Sequence, residues 1–92
     1  MTEFEWDEDK DALNWRKHKI RFEDARFVFD DPLQISKPFV ENGEERWRTI
    51  GMINACLLLL VIHTVRENGT EVIRIISARK LTLEEREDYE LG

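Results

Sequence analysis

Apolar residues concentrate in two neighbouring stretches in the second half of the chain. Leu57–Val65 is almost entirely apolar, and Val72–Ala78 is also rich in Val and Ile. Asn68-Gly69 lies between them, and this dipeptide favours a type I′ turn because both residues tolerate positive φ. The pattern predicts a β-hairpin in which, with Asn68 and Gly69 as the turn residues, His63 faces Arg74.

The segment Arg46–Ile53 predicts the strand that precedes this hairpin, with a turn at Asn54-Ala55. If those two residues form the turn, Arg46 faces His63. The register then predicts a row of Arg46, His63 and Arg74 across three antiparallel strands. A slip of one residue would break this row, because successive side chains point to opposite faces of a sheet.

The start of the chain predicts a short strand followed by a helix. Phe4–Trp6 alternates between apolar and polar residues, as a strand does. Asp7 is a helix N-cap candidate, and acidic residues follow it where the helix dipole favours them. We expect this helix to run to about Lys17 with Ala12, Leu13 and Trp15 as its apolar residues.

A second helix is predicted over Phe22–Phe29 from apolar residues at helical spacing. It ends before Pro32, since the residue before a proline is pushed out of the α region. Leu33–Ser36 alternates and predicts an edge strand that Pro38 closes. A turn is expected over Glu41–Glu44.

The end of the chain predicts a third helix. Thr82 and Glu85 form a capping box, and the helix should continue to about Leu91. The predicted fold class is α+β, with a small antiparallel sheet, two N-terminal helices and one C-terminal helix. With 92 residues, a single domain over 1–92 is expected.

Composition narrows the class of protein. The chain is 41% hydrophobic and 37% charged, which is ordinary for a small globular domain. The longest apolar run, Ala55–Ile62, is too short to cross a bilayer, and the acidic start has no apolar signal-peptide core. We expect a cytoplasmic protein with no membrane association. Cys56 is the single cysteine and lies in an apolar context, so a buried, inert thiol is expected.

The charge is unevenly distributed. The net charge is −6, which argues against a general nucleic-acid binder. Acidic residues crowd positions 3–11 and 84–90, whereas the middle of the chain is rich in arginine. A locally basic face therefore remains compatible with the acidic total.

No phosphate-binding glycine loop, nucleophile motif or metal-ligand spacing occurs, so no metal or cofactor is expected. The row of Arg46, His63 and Arg74 suits metal-independent RNA cleavage. Histidine transfers protons near neutral pH, and arginine matches phosphate oxygens. The alternative is structural: His63 bonds within the sheet, and the arginines pair with nearby glutamates (Glu44, Glu45 and Glu71).

Several ordered motifs resemble one known family. They are W-D-x-x-K, K-H-x-I-x-F-E, F-D-D-P, R-x-x-x-I-G, H-T and R-I-I-S-A-R-K, and they extend over nearly the whole chain. They resemble the BrnT family, the ribonuclease toxins of type II toxin–antitoxin modules. This resemblance implies a RelE-like fold and RNA cleavage. It also implies that a BrnA-like ribbon-helix-helix antitoxin neutralises the toxin. The toxin–antitoxin complex would then bind operator DNA only through the antitoxin.

Matched to those motifs, the resemblance implies a cluster of basic site residues. We expect His63 to transfer a proton, Arg46 and Arg79 to bind phosphate, and Arg74 to support them. Further RNA-binding candidates are Lys17, His18, Arg48, Lys80 and Tyr89.

Two functions of different class remain open. The first is an RNA-cleaving toxin, which alone could form a homodimer through its antitoxin-binding surface. The second is a catalytically weak or inactive module that acts as partner and co-repressor of its antitoxin. Direct DNA binding is disfavoured because no basic recognition helix is present.

Overall fold

The computed structural model describes all 92 residues, from Met1 to Gly92. Its strands are β1 (Thr2–Trp6), β2 (Ile35–Glu41), β3 (Glu44–Ile53), β4 (Leu57–Glu67) and β5 (Glu71–Lys80). Its α-helices are α1 (Glu8–His18), α2 (Phe22–Ala25) and α3 (Leu83–Leu91), and a 3-10 helix spans Arg26–Asp30. The predicted α+β class is confirmed. None of the helices has the length and apolar content needed to span a membrane.

The strands form one five-stranded sheet in the order β1-β5-β4-β3-β2. Strands β2 to β5 are antiparallel neighbours, but β1 runs parallel to β5, with Thr2 opposite Glu71 and Trp6 opposite Ile75. The sheet is therefore mixed, and the prediction of an antiparallel sheet is wrong at this edge. Strands β1 and β5 are far apart in the sequence, so no local pattern indicates that they pair.

The first helix begins as predicted. The Asp7 carboxylate accepts hydrogen bonds from the backbone N–H groups of Asp9 and Lys10, at 2.8 and 3.3 Å. The helix ends at His18, and the next residue, Lys19, has a positive φ of 59° that places it in the left-handed region. Its last turn is basic and complements the negative end of the helix dipole.

The apolar residues of α1 are not its buried residues. Leu13 and Trp15 are 57% and 39% exposed, whereas Asp11 and Asn14 are only 8% and 6% exposed. Polar side chains therefore anchor this helix.

The side chains of Asp11 and Asn14 form hydrogen bonds with backbone N–H and C=O groups that have no partner in a helix or strand. An Asp11 carboxylate oxygen accepts a 2.9 Å hydrogen bond from the Phe22 N–H. The Asn14 amide donates to the Ile20 carbonyl at 2.9 Å and accepts from the Ala78 N–H at 3.1 Å. Ala78 lies beyond the part of β5 that pairs with β1, so Asn14 satisfies a strand edge that would otherwise be unpaired.

The second predicted helix is divided. It is α-helical only to Ala25 and continues as the 3-10 helix. This segment packs closely on β3 at Gly51, where an added Cβ would lie 2.7 Å from Val28 Cγ1 and 2.9 Å from the Val28 carbonyl oxygen. The tight approach explains why this strand position carries glycine.

Strand β2 runs through Pro38 rather than ending before it. Pro38 pairs with Trp47, and the missing N–H is tolerated because β2 is an edge strand. The β2–β3 hairpin turns at Asn42-Gly43, with φ values of 51° and 77°. Because Glu41 pairs with Glu44, this is a two-residue turn with positive φ at both positions. It is the kind of turn that was predicted for Asn68-Gly69.

The core lies between the sheet and the helical segment that follows α1. Phe22, Leu59 and Val61 are fully buried, and Ile75 is 1% exposed. Around these four pack the remaining core residues, which are Ile20, Ala25, Val28, Ile53, Ile73 and Ala78. One side of the sheet is thus covered by α2 and the 3-10 helix, and we call it the covered face.

Candidate functional site

The loop of the β4–β5 hairpin is one residue longer than predicted. Glu67 pairs with Glu71, so the loop is Asn68–Thr70, and only Gly69 has positive φ, at 75°. Gly69 is the middle residue of this three-residue loop, and glycine adopts positive φ without steric cost. As a result His63 lies opposite Ile75, and Arg74 lies opposite Thr64.

The β3–β4 hairpin is also one residue longer than predicted. Its loop is Asn54–Cys56, because Ile53 pairs with Leu57, and Asn54 and Ala55 have positive φ values of 52° and 59°. Cys56 belongs to this loop and is exposed, so the expectation of a buried thiol is wrong.

The predicted row of Arg46, His63 and Arg74 does not exist. Trp47 lies opposite His63, which places Arg46 on the other side of the sheet. Both errors have the same cause. A shift of one residue exchanges the faces of every side chain in a strand.

His63 is on the covered face and is 3% exposed. Its Nε2 lies 2.7 Å from the Thr49 hydroxyl, which lies 2.6 Å from the Ser36 hydroxyl. The ring packs edge-on against Phe29 at 4.8 Å between centroids, and Nδ1 has no hydrogen-bond partner. Burial lowers the pKa of His63 to about 4, so the ring is neutral at physiological pH.

The opposite side of the sheet carries the cations. Cross-strand pairing and alternation place a set of basic side chains on that one side. We call it the basic face and define it by Lys37, Arg46, Arg48, Arg66, Arg74 and Arg79. An acidic protein thus gathers six cations on one side of its sheet, where Glu5, Glu41 and Glu44 lie among them.

A glutamate on β1 binds two of these cations. Glu5 forms two hydrogen bonds with Arg66, at 2.7 and 2.9 Å, and one with Arg74 at 2.9 Å. The bonds from Arg66, followed by that from Arg74, lower the pKa of Glu5 to about 2. Glu5 lies opposite Arg74 only because β1 joins the sheet.

Two other arginines are paired with nearby carboxylates. Arg79 forms a bidentate pair with Glu85 at 2.8 Å for both bonds, and these bonds lower the pKa of Glu85 to about 2. Arg46 lies 3.5 Å from Glu41 and 3.8 Å from Glu44, a looser arrangement. Each of these arginines therefore has a competing anion within the chain.

Lys37 and Arg48 differ from the others. They are direct cross-strand partners, and neither forms a salt bridge. The Arg48 guanidinium lies 5.5 Å from the Phe39 ring centroid. Like charges that lie directly opposite each other on neighbouring strands destabilise a sheet.

The remaining predicted residues lie elsewhere. Lys17 and His18 line a cavity of about 240 Å³ between α1 and β5, which also contacts Ser77. Lys80 pairs with Leu59 and so lies on the side of the sheet opposite Arg79. The structure therefore separates Lys80 from the basic face.

Tyr89 makes a structural contact from α3. Its hydroxyl donates to Asp31 at 2.7 Å, and this bond raises the pKa of Tyr89. Asp31 also accepts from the N–H groups of Leu33 and Met52, at 2.9 and 2.8 Å. Burial acts to raise the pKa of Asp31, but these three hydrogen bonds outweigh it and lower that pKa.

Sequence reasoning missed Lys37, Phe39 and Glu5. Lys37 and Phe39 alternate with Ile35 along one side of β2, a pattern that ending the strand at Ser36 concealed. No group of three or more His, Cys, Asp or Glu residues is placed to hold a metal ion. The chain is thus a small α+β protein whose mixed sheet has one covered face and one basic face.

The family model described as the ribonuclease toxin BrnT of type II toxin–antitoxin systems matches residues 6–85. This chain therefore belongs to the BrnT family of ribonuclease toxins. The crystal structure of the Brucella abortus ribonuclease toxin BrnT is similar, with a TM-score of 0.60 and 28% identity. The similarity covers 89% of this chain and 97% of that one. Comparison with curated proteins gave no significant match.

Proposed function

We propose that this protein is the RNA-cleaving toxin of its toxin–antitoxin module and binds the RNA backbone on the basic face. The observation that carries the proposal is the gathering of Lys37, Arg48 and several further arginines on one side of an acidic protein's sheet. Arginine and lysine neutralise phosphate charge and stabilise the additional charge that develops during cleavage.

The proposed cleavage requires no metal. One group removes the proton of the 2′-hydroxyl, cations stabilise the charge at phosphorus, and another group protonates the leaving oxygen. His63 is poorly suited to proton transfer because it is buried on the covered face. We assign proton transfer to His18, which lines an accessible cavity with Lys17. Arg46 and Arg79 remain the proposed phosphate ligands, with Arg74 in support, and Arg48 is proposed to bind the RNA backbone beside them.

The partner is proposed to be a BrnA-like ribbon-helix-helix antitoxin, and the fold to be RelE-like. Two features support a protein partner. Strands β1 and β2 leave both sheet edges unpaired, and apolar side chains such as Leu33, at 69% exposed, lie on the surface. Operator DNA would be bound only through the antitoxin, and the toxin alone would pair with itself through the same surface.

The direct test is cleavage of a defined single-stranded RNA by the purified protein in the presence of EDTA. We expect cleavage, its loss in an Arg48→Ala variant, and its suppression by the antitoxin. Expression in a bacterial host should arrest growth, and co-expression of the neighbouring antitoxin gene should relieve the arrest. Intact RNA after prolonged incubation with folded wild-type protein would contradict the proposal.

A second function is favoured by one observation. Most cations of the basic face are paired with carboxylates, including Glu5, Glu41 and Glu85. This pairing favours an inactive module that serves as antitoxin partner and co-repressor. Tight antitoxin binding without cleavage or growth arrest would select that function.

A further inference from the structure

The cavity between α3 and the basic face holds an unusual arrangement of charges. Its volume is about 160 Å³, and it contacts Lys37 and Arg48 of the sheet together with Glu85 and Asp88 of α3. Its apolar lining is Ile35, Ile50 and Leu60. Two unpaired cations thus lie at one wall, and two carboxylates lie at the other.

The two carboxylates differ in their attachments. Glu85 is held by the bidentate pair with Arg79 and by its capping bond to the Thr82 N–H at 2.9 Å. Asp88 lies almost one helical turn further along α3 and forms no hydrogen bond or salt bridge with a side chain. Asp88 therefore places negative charge at the cavity without neutralising either cation in an ion pair.

The helix that carries these carboxylates is weakly attached. No residue of α3 is buried, and Leu83 and Leu91 are 74% and 88% exposed. Its polar attachments to the rest of the fold are the Arg79–Glu85 pair and the hydrogen bond from Tyr89 to Asp31. An element with so little buried apolar surface opens at low free-energy cost.

We propose that Lys37 and Arg48 form a phosphate subsite for the RNA and that α3 restricts access to it. The inference rests on the proposed function, since it names where one backbone phosphate binds. A phosphate would bridge the two adjacent cations and remove their repulsion. Phe39, which contacts the Arg48 guanidinium, offers a ring on which the neighbouring base stacks. Asp88 and Glu85 would repel that phosphate until α3 moves.

The test measures binding of a non-cleavable single-stranded RNA, with 2′-O-methyl groups, to the full-length protein. Asp88→Asn should tighten binding about three- to tenfold, because one repelling charge is removed. Glu87→Gln is the matched control, since Glu87 is an exposed carboxylate of α3 that does not contact the cavity. Equal affinities of these two variants would overturn the role of α3.

The cationic side of the subsite is tested in the same assay. Lys37→Gln should weaken binding and reduce the slope of log affinity against log salt concentration by about 0.7, the value for one phosphate on a single strand. The control is Arg26→Gln, which removes a cation from a cavity beside β1 and α2. A Lys37 variant with the slope of the control would overturn the subsite.

A probe independent of RNA separates this inference from the proposed function. Inorganic phosphate should shift the Arg48 Nε–Hε NMR signal in the wild-type protein and shift it at lower concentration in Asp88→Asn. Phosphate binding without RNA cleavage would support the subsite while contradicting the toxin activity. An unshifted Arg48 signal in both proteins would overturn the subsite even if RNA is cleaved.

Discussion

Trp47, rather than Arg46, lies directly opposite His63 across strands β3 and β4. This pairing decides the chemistry of both sides of the sheet. Buried His63 and Thr49 form a hydrogen-bonded chain with Ser36 of the edge strand, while Arg46 joins the other cations on the basic face. The imidazole and the guanidinium groups therefore do not form one site.

The two histidines should contribute differently to RNA cleavage. We expect His18→Gln to lower the cleavage rate about a hundredfold or more, as loss of a proton-transfer group does. His63→Gln should change the rate less than about tenfold, because His63 is buried on the face opposite the cations. Single-turnover cleavage rates of both variants measure this difference. A larger loss of cleavage rate in His63→Gln than in His18→Gln would indicate that His63 transfers the proton.

Stability should decrease as the solution is acidified from about pH 6.5 to pH 4. The folded protein keeps His63 neutral because its pKa is lowered to about 4, while the unfolded chain takes up a proton near pH 6.5. The unfolded state binds more protons in this window, so the free energy of unfolding falls by up to about 3 kcal/mol. Urea unfolding at several pH values measures it. His63→Gln should make the free energy of unfolding depend less on pH in this window, and His18→Gln serves as the control. If stability still falls as steeply in His63→Gln as in the wild-type protein, His63 is not the group responsible.

Glu5 should limit RNA binding by occupying Arg66 and Arg74. Glu5→Gln removes the carboxylate that the two arginines share, so we expect tighter RNA binding. The slope of log affinity against log salt concentration should also become steeper, by about 0.7 for each arginine that then binds a phosphate. Fluorescence anisotropy at several salt concentrations measures both. Glu8→Gln, at the start of α1, removes an equal charge away from the arginines and serves as control. Identical salt slopes in the two variants would argue against this role for Glu5.

Gly51 should not accept a side chain. Gly51→Ala places a Cβ within 2.7 Å of Val28 Cγ1 and 2.9 Å of the Val28 carbonyl, so we expect a loss of about 1–3 kcal/mol in the free energy of unfolding. Urea denaturation measures the loss. Adding Val28→Ala should couple with the first change and recover part of it, since the side-chain clash disappears while the carbonyl remains. Strict additivity of the two changes would contradict the clash.

Cys56 should react in the folded protein. It lies exposed in the Asn54–Cys56 loop, so a thiol reagent such as DTNB should modify it at the rate of an accessible cysteine without denaturant. Cys56→Ser provides the blank. A reaction that begins only when the protein unfolds would show that this loop is protected.

Local patterns predicted the elements better than their junctions. The Asp7 cap, the Thr82–Glu85 capping box and the two long apolar strands were all confirmed, since each depends on neighbouring residues. Asn-Gly forms a two-residue turn at Asn42 but belongs to a longer loop at Asn68. The dipeptide permits both turns, and the packing of the strands selects between them.

By itself the sequence determined the α+β class, the first and last helices, the long central strands, the BrnT family and the presence of several cations in those strands. Only the tertiary structure decided which side of the sheet each of them occupies, that β1 brings Glu5 to Arg66 and Arg74, and that Lys37 joins Arg48. The physical reason is the two-residue period of a strand. One additional loop residue leaves every local preference intact and yet reverses the face of every side chain that follows.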